Sequence, residues 1–471
     1  MSPPLEPIRH VALIGLGWHA RRVYYPWLAS AALQGRLSIS AVVDLRDNAA
    51  AVGGFLAQQQ VPAGQLLLTE PPPQPDRLPE ELAAQLTALR AAGRLDGVVI
   101  STEPRAHKAY VLWALAHGVH VLLDKPITAP ASASNSAEVA QALWSDFEEI
   151  SRALSASRSR LVVQAQRRVH PGYGFIKRYL EDFLPEFRVP ISSVDSYHAD
   201  GMWVMPHEWN REHHAYKYRT GKLLHSGYHF VDLCSWLLES NDRLRPTAPS
   251  VLEFSAQTFQ PSDFLALMAG SYERLFGPGQ LPTPVDSVEG HGEMDLTLMG
   301  RVISEGHTRT LLSLQLLQNS FSRRASPAPP EDPYKGAGRV RHERLNLQVG
   351  PLLNLQVHSY QAYEVRDRRA QLPYGPGHLD HFDVHVFRNA DAVGGTCFEK
   401  IEFGREGQRQ GHNERARLEL LEAFVDGRPS GSELEAHRRT NLWLSRIYQA
   451  LHRRSTEGTA VCTVPWFSPA G

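Results

Sequence analysis

Hydrophobic and polar positions along the chain fall into two textures. In the first third, short continuous apolar runs alternate with segments of helical spacing. Residues 11–14 form an apolar run that enters the turn Gly15-Leu-Gly17-Trp-His-Ala20, and a helix is expected after it. A second run, LSISAVVD, ends in Asp44 and leads into the helical NAAAVGGFLAQQQ. Residues 71–79 are proline-rich and read as a surface loop. Beyond them, the helix LPEELAAQLTALRAAGRL precedes the strand DGVVIST, the helix HKAYVLWALAHG and the short strand VHVLLDKP. Fully apolar strands separated by helices predict a parallel sheet covered on both faces.

From about residue 190 the period changes to two. ISSVDSYHADG, EMDLTLMGRVISE, RTLLSLQLLQNSF, RLNLQVGPLLNLQVHSY and HFDVHVFRN alternate polar with apolar residues, as strands with one buried face do. SRRASPAPPEDPYKGAGR interrupts them as a Pro/Gly-rich loop. Helical periodicity returns in RARLELLEAFVDG and EAHRRTNLWLSRIYQALHRR, before a last strand, TAVCTV. The expected fold is α/β, a parallel sheet with helices on both faces followed by an open, mostly antiparallel sheet.

Length and charge sharpen this picture. A chain of 471 residues exceeds one compact core, so two domains are expected, at 1–130 and 131–471. Lys and Arg number 49 against 50 Asp and Glu, a formal net charge of -1, which gives no general pull toward nucleic acid or anionic membrane. A local basic patch remains open around Arg167 and Arg168. The three cysteines, Cys234, Cys397 and Cys462, are far apart and form no C-x-x-C, which suits a reducing compartment. The first residues, MSPPLEPIRH, lack the apolar run of a signal peptide, and no apolar stretch is long enough to span a bilayer. A soluble cytoplasmic protein is expected.

The glycine turn carries the first chemistry. Gly15 permits the tight turn, Gly17 lets a pyrophosphate approach the backbone, and Ala20 allows close helix–strand packing. Asp44, at the end of the second strand, can accept hydrogen bonds from the adenosine ribose. Its carboxylate favours NAD over NADP, whereas the nearby Arg46 could pair with a 2′-phosphate, so both cofactors stay open. A second candidate is LLHSGYHFVDL, residues 223–233, where His225, His229 and Asp232 would share one face of a helix. Metal binding and proton transfer both fit three such side chains. His207, His213 and His214, in HEWNREHHAYKY, are further imidazoles for a metal, but no carboxylate stands at an established ligand spacing. No metal is expected.

VVISTEPRAHKAYVLWALAHGVHVLLDKPIT resembles a segment of the Gfo/Idh/MocA oxidoreductases, with Asp124-Lys125-Pro126 in place of their Glu-Lys-Pro. VVQAQRRVHPGYGFIKRYL resembles their strand–Arg–Pro–helix passage into the second domain. GKLLHSGYHFVDLCSWLL resembles their D-x-G-x-H-x-x-D segment, and residues 424–461 resemble their closing helices. The likeness covers most of the chain in the same order, with about 250–410 longer and expected to carry insertions. It implies an N-terminal Rossmann domain joined to an α/β domain with an open, mostly antiparallel sheet and C-terminal closing helices.

The resemblance implies hydride transfer between NAD or NADP and a hydroxyl or carbonyl carbon of a sugar, cyclitol or related polyol. It implies a cofactor site of Gly15, Gly17, Trp18, His19, Ala20, Asp44 and Arg46, with Ser101, Thr102, Glu103, His107, Asp124 and Lys125. Lys125 would hydrogen-bond the reacting oxygen. His229 would exchange the proton, since an imidazole titrates near neutrality. His225 stands where many members have aspartate and is expected to contact substrate. Tyr228 and Arg167 are candidate substrate contacts, although Arg167 could equally pair with an acid. Asp232 would orient His229, bind a substrate hydroxyl or brace its helix. Two other functions remain open: tightly held NAD used transiently for elimination or hydrolysis, and nucleotide binding without turnover. A small-molecule substrate is the expected partner, with no nucleic acid and no membrane. The family's habit implies a homodimer or homotetramer built on the outer face of the open sheet.

Overall fold

The computed structural model describes residues 6–211, 216–244, 250–279, 288–328, 338–362, 381–403, 412–457 and 461–466. It divides into two compact units. The first comprises residues 1–130, 142–169 and 413–438; the second comprises 131–141, 170–412 and 439–471.

The first unit holds a six-stranded sheet of β1 (His10–Ile14), β2 (Ser38–Leu45), β3 (Leu66–Thr69), β4 (Gly97–Ile100), β5 (His120–Leu123) and β6 (Leu161–Val163). Their order is β3-β2-β1-β4-β5-β6 and every pairing is parallel. Alternation along each strand divides the side chains between two cores. Ala12, Ile14, Val98, Ile100, Val121 and Leu123 pack against Leu86, Val111, Phe147 and Ile150. Val11, Leu13, Val42, Val99 and Leu122 pack against Tyr24, Leu28, Val52, Leu420 and Phe424. Burial on both faces explains the continuous apolar runs. The helix expected after the glycine turn is two segments, Trp18–Arg22 and Tyr24–Leu33, which meet at Val23.

The second unit holds a nine-stranded sheet: β7 (Ser193–Met202), β8 (Ser250–Phe259), β9 (Asp295–Ser304), β10 (His307–Asn319), β11 (Val340–Val349), β12 (Leu353–Ala362), β13 (His381–Arg388), β14 (Phe398–Phe403) and β15 (Cys462–Trp466). The order is β14-β13-β12-β11-β7-β10-β9-β8-β15; β7 and β10 run parallel and the other pairs antiparallel. Leu314, Leu316, Leu345, Leu347, Leu355, Val357, Val384 and Val386 are buried, while most of their strand neighbours are polar and all are more exposed. The helix Pro171–Phe187 closes on the buried face through Tyr173, whose ring lies 4.9 Å from Phe382. Residues 250–403 supply seven described strands of this sheet and also a helix, Pro261–Phe276, which the alternating pattern around it does not announce. Pro261 at its first turn and Asp263, which accepts from the Gln260 N–H at 2.8 Å, start that helix.

At the end of β7 the chain turns through Gly201, with φ +63°, and a Cβ there would lie 1.7 Å from the Val340 carbonyl oxygen. Both the left-handed backbone and the close approach exclude a side chain. Gly201→Ala is therefore expected to destabilise the protein by roughly 2–4 kcal/mol, read as a lowered urea midpoint. A midpoint equal to that of the unaltered protein would contradict this packing.

Candidate functional site

The carboxyl ends of the parallel strands carry the candidate nucleotide residues of the first unit. The backbone ladder continues one residue past each strand: Gly15 N–H donates to Val43 O, Ser101 N–H to Ile14 O, Asp124 N–H to Ile100 O and Gln164 N–H to Leu123 O, at 2.8–2.9 Å. The loops after β1, β4, β5 and β6 are thus held at one edge. The strand order reverses between β1 and β4, and in such sheets nucleotides bind outside the carboxyl ends at that point.

Gly15 adopts φ +87°, and a Cβ on it would lie 2.6 Å from Ser101 O. A Cβ on Gly17 would meet nothing within 4 Å, so the turn is open on the side where a pyrophosphate would approach. Asp44 braces this turn from β2. Its Oδ2 accepts from Leu16 N–H at 2.7 Å, and its Oδ1 accepts from Leu45 N–H at 2.8 Å and the Asn48 amide at 2.7 Å. Oδ2 keeps room for another donor, which suits a ribose hydroxyl. Trp18 is 57% exposed beside the turn. Arg46 stands on the surface with Glu70 at 3.3 Å and Glu81 at 3.8 Å. These residues fit a dinucleotide. Gly15, Gly17 and Asp44 would hold it, and it would supply or accept the hydride.

Asp124 is the centre of the next loop. Its Oδ2 accepts from Tyr24 Oη at 3.2 Å and Ser101 Oγ at 3.3 Å, and Oδ1 accepts from Lys125 N–H at 3.0 Å. Burial opposes ionisation, but the facing His19 and Lys125 outweigh it and hold the carboxyl below its usual range. His19 Nε2 lies 3.7 Å from Asp124 Oδ2, and burial pushes that imidazole down to about 3, so it is neutral near pH 7. His107 is fully buried, with Nδ1 3.0 Å from Pro126 O and Nε2 3.3 Å from Thr102 O. It ties the β4 loop to the Lys125–Pro126 peptide, which is cis. Burial keeps it neutral, so one of its two nitrogens donates and the other cannot. Glu103 is taken up by Arg105, whose backbone N–H and Nε lie at 3.1 and 2.7 Å. Ala20 packs in the core beneath the turn. Arg167 is 3% exposed on the short turn Gln166–Arg168 after β6, so it is no surface residue.

In the second unit the histidine segment departs from the expected helix. Leu223–Gly227 is a π turn, and the α-helix Tyr228–Leu238 starts only at its end. His229 and Asp232 share that helix, but His225 stands on the wider turn, so the three do not form one α-helical row. His225 meets Tyr216 edge-on at 5.4 Å. His229 is 6% exposed, and Tyr228 is fully buried. Asp232 is also fully buried and accepts from Thr440 Oγ1 at 2.9 Å, a bracing contact to the helix Arg438–Glu457.

Beneath the turn lies a buried charged cluster that the sequence reading missed. Lys222 Nζ donates to Asp200 Oδ2 at 2.5 Å and stands 3.2 Å from His198 Nδ1. Asp200 also receives Ser226 Oγ at 2.7 Å and Arg339 Nη2 at 2.6 Å. Burial acts against the Asp200 charge, but Lys222, His198, Arg339 and Arg341 hold its carboxyl well below the usual range. An Asp and a His two apart on β7, one strand face, were the available signal.

Among the described residues no group of three or more His, Cys, Asp or Glu side chains is arranged to hold a metal. His207 lies in the turn Pro206–Asn210, and His213 and His214 fall outside the described residues. The three cysteines are free, and no described helix is long and apolar enough to cross a membrane.

No curated protein matches the chain. Solved structures match it over nearly its whole length. Aldose-aldose oxidoreductase from Caulobacter crescentus, complexed with glycerol, is 14% identical with a TM-score of 0.54, covering 98% of this chain and 100% of that one. The WlbA dehydrogenase from Bordetella pertussis, with NADH and UDP-GlcNAcA, is 13% identical with a TM-score of 0.54, covering 98% and 99%. Myo-inositol 2-dehydrogenase from Lactobacillus plantarum is 12% identical with a TM-score of 0.52, covering 98% and 99%. At such identities the likeness is one of fold. Residues 9–155 match the model of an oxidoreductase family with an NAD-binding Rossmann fold, GFO_IDH_MocA. That match spans β1 to β5 of the parallel sheet and the loops between them, so the first unit carries the NAD-binding Rossmann fold that this family model describes.

Proposed function

We propose that the protein is an NAD-dependent oxidoreductase that moves a hydride between the nicotinamide and a hydroxyl or carbonyl carbon of a sugar, cyclitol or related polyol. One observation carries this reading: the open Gly17 turn, Asp44 and the Asp124–Lys125 loop stand on one carboxyl edge of a parallel sheet. The substrates printed for the structural relatives, a sugar nucleotide and myo-inositol among them, support the polyol class. NAD is favoured over NADP. Asp44 is an anion where a 2′-phosphate would lie, and the cation Arg46 already faces Glu70 and Glu81.

In this reading Lys125 hydrogen-bonds the reacting oxygen and stabilises negative charge on it, while Asp124 and His107 fix its loop. His229 takes the hydroxyl proton in oxidation and returns it in reduction. His225, Tyr228 and Arg167 are assigned to substrate, and Asp232 to holding the His229 helix. Serial assays of NAD and NADP with polyols and aldoses, followed by NADH absorbance, test the reading. Lys125→Ala and His229→Ala are expected to lower kcat by about 10²–10⁴-fold while leaving the NAD dissociation constant within about threefold. Binding of neither nucleotide by the unaltered chain would sink the proposal. His225→Ala is expected to raise KM by about tenfold or more, and unchanged kinetics would remove His225 from the substrate contacts.

The open sheet is proposed to pair with a second copy of the chain. Met299, Leu311, Phe387 and Phe398 are 67%, 57%, 38% and 48% exposed on its outer face. Between them runs an aromatic row, in which His342 stacks on Tyr360 at 4.3 Å and Tyr360 meets His381 at 5.3 Å. So much apolar area in one face is rare on monomers. Sedimentation is expected to show a dimer or tetramer, and Met299→Lys with Leu311→Lys to shift it toward monomer. A monomeric unaltered chain at micromolar concentration would rule the pairing out.

A further inference from the structure

Glu293 lies two residues before the start of β9 and is fully buried. Its backbone and side chain both close on the start of the π turn. The Glu293 carbonyl accepts from Lys222 N–H at 2.7 Å, and Glu293 Oε1 accepts from Leu223 N–H at 2.9 Å. Tyr448 Oη, from the helix Arg438–Glu457, donates to the same Oε1 at 2.9 Å. The approach is as close as backbones allow. A Cβ on Gly221 would fall 2.0 Å from Glu293 O, and one on Gly292 would fall 2.3 Å from Thr220. Gly292 N–H also donates to Tyr216 O at 2.9 Å, and Tyr216 carries the ring against His225.

The other carboxyl oxygen, Oε2, is buried without a hydrogen-bond partner among the described residues. A carboxylate in this position would leave charge unsatisfied in a dry site, whereas a carboxylic acid would place its proton there and keep Oε1 free to accept twice. Nothing in the proposed hydride transfer uses this group, yet it holds the first N–H of the turn that presents both histidines.

We propose that Glu293 is a positioning residue: together with Tyr448 it caps the π turn, and gain or loss of its Oε2 proton sets how that turn presents His225 and His229. With the proton on, Oε1 is a neutral acceptor for Leu223 N–H and Tyr448 Oη. On deprotonation the proton leaves to solvent, and the anion tightens both hydrogen bonds while its uncompensated oxygen strains the site. Burial raises the Glu293 carboxyl from 4.5 to about 7, against the Leu223 N–H and the Tyr448 hydroxyl, which lower it. The ionisable groups on the packed elements are Tyr448, Tyr216 and Lys222, with Asp200 and Asp295 on the neighbouring strands; burial raises Tyr448 and Tyr216 well above their ordinary range and Asp295 to about 6.

The sign of the effect follows from linkage. Between the unfolded value near 4.5 and the folded value near 7, the folded chain binds the proton and the unfolded chain does not. Raising pH through that window therefore removes stability that Glu293 contributes below it. Full-length Glu293→Gln, which keeps the shape and the acceptor but cannot ionise, should lose this component.

Three measurements test the proposal. Thermal midpoints from pH 5 to pH 8, without cofactor, should fall more steeply for the unaltered chain than for Glu293→Gln; parallel curves would overturn the proposal. Imidazole resonances of His225 and His229 should show a second inflection near pH 7 that the variant lacks; identical titrations would also overturn it. The third arm rests on the oxidoreductase reading: the ratio of kcat/KM between unaltered chain and variant should change by about tenfold between pH 6 and pH 8, whereas a merely structural loss would leave the ratio constant. If no polyol is turned over, that reading fails and the first two arms still decide Glu293. Should Glu293→Gln not fold, Tyr448→Phe removes a donor to the anion, and the midpoint inflection should move to higher pH; an unmoved inflection would overturn the proposal.

Discussion

The second unit depends on one buried carboxylate. Asp200 projects from β7 into a cluster with Lys222, Ser226 and Arg339, and it is the anion on which Lys222 and Arg339 converge. Stripping water from an ammonium and a guanidinium costs several kcal/mol each, and only short, well-directed contacts recover it. Removing Asp200 would leave those cations buried without their anion, a larger penalty than the net worth of the pairs. Lys222 and Ser226 lie at the two ends of the turn that holds His225. One carboxylate therefore fixes both ends of that turn against the sheet, and the position of the histidines follows from it.

The first unit repeats the device with different donors. Asp44 satisfies Leu16 and Leu45 N–H groups, and Asp124 satisfies Lys125 N–H together with the Tyr24 and Ser101 hydroxyls. Each acid sits at or just past the carboxyl end of a strand, where the backbone still carries donors to be satisfied. An anion at these points orders a loop that would otherwise need its own hydrogen-bonded structure. Order held by the chain's own hydrogen bonds leaves less of any binding energy to be spent on forming the turn.

Much of this was legible in the sequence because the physics is local. Apolar runs such as residues 11–14 report burial on both faces, alternation such as LNLQV reports burial on one, and Gly15 reports a backbone that no side chain allows. The helix Pro261–Phe276 was written in local terms as well, by Pro261 and Asp263, but strands surround it and drew the eye. What the sequence did not carry is non-local. The spacing of His225 and His229 reads as one helical face, yet the π turn arises because Glu293, seventy residues on, accepts from the backbone at its start. The Asp200 cluster joins residues 22 and 139 positions apart. The segment's likeness implies His107 in the cofactor site, and the fold adds that its two nitrogens face Pro126 and Thr102.

The same charges account for His225, the position at which this chain departs from the resembling motif. Its turn already adjoins Asp200, which its cations keep ionised, and Glu293, which burial pushes toward the neutral acid. A further carboxylate on that turn would add negative charge beside Asp200, on which Lys222 and Arg339 already converge. It would drive Glu293 more firmly into its protonated form and compete with Asp200 for Lys222. An imidazole avoids this, because it can donate or accept without adding negative charge. An imidazole at 225 thus adds no negative charge to a turn that already rests on the acids at 200 and 293.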